Sequence, residues 1–153
     1  MDSFIQVPKE EVIKQMIKSR FDVEIDVEGS WGYTQKEATI IKAKHPPLKQ
    51  LQHNLAMMRA YIEMNMTLTS DKRYGGISVS QTDSQTIKED GLIFHKVTNT
   101  ITAIKEEQYN KFIKEYKNNY EKDGFDLAEH FERRKKETLT RVVEHWFEVS
   151  KVL

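Results

Sequence analysis

Acid–base residues are plentiful in this chain, but few stand at spacings that would let them act together. Asp22, Glu24, Asp26 and Glu28 recur every second residue. On a strand that spacing sets four carboxylates along one face at about 7 Å intervals. Such a row could hold a hard cation or a basic partner, or it could simply face water. Lys42 and Lys44, on the next predicted strand, would sit opposite and neutralise part of it, so a solvated face is the reading adopted.

The five histidines are scattered. His45 and His53 flank Pro46 and Pro47, which rules out a helical zinc motif of the HExxH kind. His130 and His145 fall on one predicted helix, where fifteen residues separate them by more than about 20 Å. His95 shares a predicted strand face with Ile93 and Val97. No metal ligand or cofactor is assigned. With no Gly-x-Ser-x-Gly elbow and no Ser-x-x-Lys, no catalytic residue is assigned either. Zero cysteine excludes disulfides, thiol catalysis, iron–sulfur clusters and thiolate zinc sites.

Binding chemistry has better candidates. Gly29-Ser-Trp-Gly-Tyr33 places two aromatic residues beside glycines between two strands, and Asp71-Lys-Arg-Tyr-Gly-Gly76 offers cations beside a glycine pair. If the two loops share one end of the sheet, Trp31, Tyr33, Arg73 and Tyr74 would line a pocket. Arg73 would neutralise a small anion and the aromatics would stack a ring, with His53 or His95 as the titrating group. Arg133 to Lys136, with Arg141, make the one basic cluster. Glu129, Glu132 and Glu137 stand where they can compensate it, so nucleic acid is not an expected partner. Four of the six methionines (57, 58, 64 and 66) crowd one predicted helix, as core filler or as an exposed groove.

These residues need elements to hold them. Val12, Ile13, Met16 and Ile17 form the stripe of a first helix expected to start at Pro8. Phe21, Val23, Ile25 and Val27 alternate with the four acids and predict a half-buried strand over 21–28. A second strand is expected at 38–43. A long helix follows from Pro47 to about Leu68, carrying Leu48, Leu51, Leu55, Met58 and Ile62. A strand over 77–88 turns at Asp90-Gly91, and 92–97 with 101–104 would form a hairpin around Asn99-Thr100. Tyr109, Phe112, Ile113, Tyr116 and Tyr120 mark one helix. A last helix, capped at Asp126, runs to about Val149, although its apolar stripe lapses between 132 and 137.

The expected fold is therefore α+β: a mostly antiparallel sheet of about five strands with helices on one face, in the order α-β-β-α-β-β-β-α-α, as a single domain over 1–153. Val, Ile, Leu and Phe are 38 of 153 residues, above the level of disordered chains. No stretch free of charged residues exceeds nine, too short for a membrane span. The first residues lack a secretory leader pattern, so a soluble, cytoplasmic protein is expected. Lys+Arg and Asp+Glu balance at 24 each, which argues against a general polyanion binder.

These features favour a non-catalytic binding or interaction protein, expected to associate with itself or with another protein. Its interface would be Leu139, Val142, Val143, Trp146 and Phe147 on the end of the last helix. The alternative is a small enzyme or nucleotide- or phosphoester-binding domain using the pocket of Trp31, Tyr33, Arg73 and Tyr74.

Overall fold

The computed structural model describes residues 4–153, so the reading of the chain's start for a leader falls partly outside them. Helix α1 spans Ile13–Phe21 and buries Ile13, Met16 and Ile17, three of the four residues of the predicted stripe, while Val12 stands before the helix and is exposed. The helix does not start at Pro8. Residues 9–11 bend instead, and Val12 precedes the first turn without a side-chain cap.

The alternating segment makes only a short strand, β1, at Val27–Gly29. Phe21 belongs to α1, and Asp22 takes a left-handed conformation (φ 55°) that returns its N–H to the Lys18 carbonyl. Val23 is 41% exposed, whereas Val27 is buried. Alternation alone does not make a ladder. The neighbouring strand β2 is just Thr39–Ile41, so residues 23–26 have no partner strand over most of their length. The four acids are exposed as expected, and Lys42 pairs with Glu28.

Helix α2 covers Leu48–Tyr61 and continues as a π-helical turn, Ile62–Met66. Strands β3 (Tyr74–Glu89) and β4 (Leu92–Lys105) form a long hairpin. Asp90 and Gly91 turn it with positive φ at both positions, the geometry that suits right-twisted strands. Because β4 is continuous, the expected hairpin at Asn99-Thr100 does not exist. Helices α3 (Glu106–Asn119) and α4 (Leu127–Glu137) follow, and the Asp126 carboxylate accepts from the Glu129 N–H at 3.0 Å, a helix cap.

The largest correction concerns the C-terminus. Leu139–Glu148 is strand β5, not helix. It pairs antiparallel with β4 and parallel with β2, giving one five-stranded sheet in the order β1-β2-β5-β4-β3. The strand count stands, but the fifth strand is this one. The lapse in the apolar stripe marks the place where the chain changes from helix to strand, at Thr138.

Register sorts β5 into two faces. Leu139, Arg141, Val143, His145 and Phe147 lie opposite Ala103, Ile101, Asn99, Val97 and His95. This face carries the core. Ile13, Met16, Ile17, Leu51, Leu55 and Ile62 of the α1–α2 layer cluster with Val97 and Phe147. Ala56, Ala60 and Met64 cluster with Ile77, Val79, Ile101 and Ala103. On the other face Thr140, Val142, Glu144 and Trp146 lie opposite Thr102, Thr100, Thr98 and Lys96. Among the described residues no helix is long and apolar enough to cross a membrane.

Candidate functional site

The predicted pocket of Trp31, Tyr33, Arg73 and Tyr74 is not assembled. Trp31 is 1% exposed and sits in the core cluster of α1 and α2, with Tyr33 packed against it. Tyr74 belongs to the second cluster, with Phe4 edge-on at 5.6 Å. Arg73 is held by Glu106 at 2.8 Å. The two loops are thus fastened to different parts of the core.

The predicted interface is also divided. Leu139, Val143 and Phe147 face α2, with Phe147 fully buried, while Val142 and Trp146 lie on the opposite face. Val142 is 67% exposed. Trp146 meets Phe94 edge-on at 6.5 Å and lies under the Lys96 ammonium. A helix would have gathered the five on one side; the strand's period of two separates them.

The sequence does not single out a polar cluster on the inner face of α2. Arg59 and Glu63, one turn apart, are each 3% exposed. Arg59 donates to the carbonyls of Trp31 at 3.0 Å and Glu144 at 2.9 Å, and its guanidinium lies 4.5 Å above the Tyr33 ring. Glu63, on the π-helical turn, accepts from the Tyr33 hydroxyl at 2.6 Å and from Arg141 at 2.8 Å. Burial, with the Glu63 carboxylate beside it, pushes the Tyr33 phenol well above its usual range. A pocket of about 250 Å³ lies over this cluster, with Phe4 and Gln6 on its wall. Each charge already has a partner, so the cluster serves to join α2, β5 and the β1–β2 loop. The signal for it was the i, i+4 pair of opposite charges inside an apolar stripe.

Two buried histidines have a similar role. His145 is fully buried and stacked 4.1 Å from Phe147, with Nε2 3.0 Å from the Thr39 hydroxyl. That hydroxyl donates to the Ser30 carbonyl, so the imidazole donates from Nε2. Burial, with Arg59 nearby, holds His145 well below its ordinary pKa. Gly32 (φ 76°) passes so close that a Cβ there would come within 2.2 Å of the imidazole. His130 is fully buried between α3 and α4, with the rings of Phe112, Tyr116, Phe125 and Phe131 at 5.3 to 6.0 Å. Its Nδ1 lies 3.0 Å from Glu115, whose carboxylate is lowered to about 2 by Arg133 and then by His130.

The basic cluster is therefore split between partners: Arg133 goes to Glu115 and Glu129, and Arg141 goes to Glu63. His95 is half-buried, 3.0 Å from the Gln52 amide, and burial lowers its pKa. Among the described residues no three His, Asp or Glu side chains converge where a metal ion could sit.

A broad apolar concavity lies on the outer side of α2. Phe21, Met57, Met58, Tyr61 and Met66 wall a groove of about 590 Å³, with Gln50, His53 and Asn54 at its polar edge. That volume falls in the range of ligand and side-chain pockets. Methionine is polarizable and unbranched, so such a groove can adapt to the shape it receives. Three of the four methionines crowded on this helix wall the groove, and Met64 alone turns fully into the core. A complementary feature lies elsewhere on the chain. Leu127 and Phe131, one turn apart on α4, are 43% and 46% exposed. Compared with known protein families, with curated proteins and with solved structures, the chain matches none of them.

Proposed function

We propose that this is a non-catalytic interaction protein that associates with a second copy of itself, the α4 ridge of one copy seated in the α2 groove of the other. One observation carries the reading: the chain holds both an apolar groove walled by methionines and a half-exposed helical ridge, Leu127 and Phe131, the latter resting one side of its ring on His130 and Tyr116. Anchors at i and i+4 on a helix are the form in which such grooves receive partners. Charge adds support, since 24 cations balance 24 anions and two copies meet without net repulsion. The interface moves from the end of the last helix, now strand β5, to its beginning.

Light scattering after gel filtration, run over a range of concentrations, tests this. The expected mass exceeds the 18.0 kDa of one chain and rises with concentration. Phe131→Asp and Met57→Asp should each return it to 18.0 kDa with unchanged circular dichroism. Both residues are partly exposed, so neither substitution empties the core. A monomer at every concentration, or a mass indifferent to both substitutions, would overturn the proposal.

A further inference from the structure

The wall of the α2 groove is chemically unlike the rest of the chain. Met57, Met58 and Met66 line it; Met66 is 40% exposed and the other two are half-buried. Met16 and Met64, by contrast, are 1% and 0% exposed and belong to the two core clusters. The chain has no cysteine, so no thiolate stands ahead of these thioethers as the target of an oxidant. Among the described residues, sulfur that solvent can reach is thus concentrated on one concave surface.

That surface suits a two-electron oxidant of the peroxide class. The thioether lone pair attacks one peroxide oxygen, and the S–O bond forms as the O–O bond breaks. Sulfur is oxidised by two electrons, and the departing hydroxide takes the proton of the transferred oxygen to leave as water. The product sulfoxide is polar where the thioether was apolar and adaptable. A polar group buried without a hydrogen-bond partner disfavours docking. The side chains of Leu127 and Phe131 have no donor to offer it.

We propose that Met57, Met58 and Met66 form a site of reversible oxidation by peroxides, and that sulfoxide formation there releases the α4 ridge from the groove. The release rests on the reading that this groove receives α4; the oxidation itself does not. A seated ridge also covers the sulfurs, so the dissociated chain is the form that oxidises.

Hydrogen peroxide added to the folded full chain, followed in parallel by peptide mass spectrometry and light scattering, separates the two steps. Met57, Met58 and Met66 should each gain one oxygen before Met16 and Met64 do. The oxidised chain should then associate about tenfold more weakly, the scale of one polar group buried without a partner, with unchanged circular dichroism. Methionine sulfoxide reductases should restore the mass. A triple variant, Met57→Leu, Met58→Leu and Met66→Leu, keeps the groove apolar at nearly the same volume. It should associate as the natural chain does and ignore peroxide. Oxidation of Met16 and Met64 at the same rate overturns the proposal. So does a mass that survives full oxidation of the three, or one that falls as far in the leucine variant. A chain that is monomeric before any peroxide overturns the self-association reading, and the release with it, while the order of oxidation still decides the site.

Discussion

At the scale of single residues, burial disfavours the charged form of two histidines, His145 and His95. His145 is the clearest case. Its folded pKa lies well below the ordinary 6.5, through burial first and Arg59 second. In the unfolded chain it titrates normally, so below about pH 6.5 the unfolded state binds the extra proton. Stability contributed by neutral His145 is therefore complete above that pH and is lost as pH falls, by up to about 1.4 kcal/mol per unit. Glu115 acts with the same sign, between its ordinary 4.5 and its folded value of about 2, so its contribution begins at lower pH than that of His145. Urea unfolding between pH 7 and pH 5 should show falling midpoints in the natural protein. His145→Gln should reduce that slope and leave the part contributed by His95, which burial also lowers. A slope unchanged by this substitution would place the titrating group elsewhere.

At the scale of elements, Arg59 joins what the ladder leaves open. β2 pairs with β5 only at Phe147 and Glu148, so the preceding stretch of β5 would expose unpaired carbonyls on that side. The forked guanidinium takes the Glu144 carbonyl with one nitrogen and the Trp31 carbonyl with the other, closing the gap with a side chain. Lysine carries the same charge but not the fork. Arg59→Lys should therefore lower stability by about 1–3 kcal/mol, the cost of a buried acceptor left without its donor. Hydrogen exchange at the Trp146 amide, which bonds Gly32, should quicken more than exchange in the β3–β4 hairpin. Uniform loss of protection would mean that Arg59 supports the whole core instead of the loop.

This is also the scale at which the sequence was hardest to read. Leu139, Val142, Val143, Trp146 and Phe147 fit a helical stripe, yet Leu139, Val143 and Phe147 also fit the inward side of a strand. No glycine or proline separates α4 from β5; Thr138 alone makes the change, with φ −77° and ψ 123°. Over 21–28 the pattern was clean, but a strand needs a neighbour, and β2 was too short to supply one. The α1 and α2 stripes, the Asp90-Gly91 turn and the Asp126 cap were legible because each depends only on local residues. The Arg59–Glu63–Arg141 network was not, since its partners stand up to 85 residues apart.

At the scale of the whole molecule, the groove and the ridge decide what kind of assembly can form. They are different surfaces, so each contact is asymmetric, with the α4 ridge of one copy in the α2 groove of the next. If a two-fold axis relates the copies, both contacts form together and the assembly closes as a dimer. If the rotation does not close, each copy keeps a free groove and a free ridge, and the chain of contacts grows with concentration. Mixing variants separates these outcomes. Phe131→Asp removes the ridge and keeps the groove; Met57→Asp does the reverse. An equimolar mixture can make one intact contact and no more, so an open chain is capped at two copies. Light scattering on the mixture should give twice 18.0 kDa, where each variant alone gives a monomer. The natural protein then reports the symmetry: a mass that stops at two copies means closure, and one that keeps rising means an open array. A mixture that stays monomeric while the natural protein forms a dimer means that closure needs both contacts at once. In that case restoring either residue in one partner alone should not recover the dimer's full affinity.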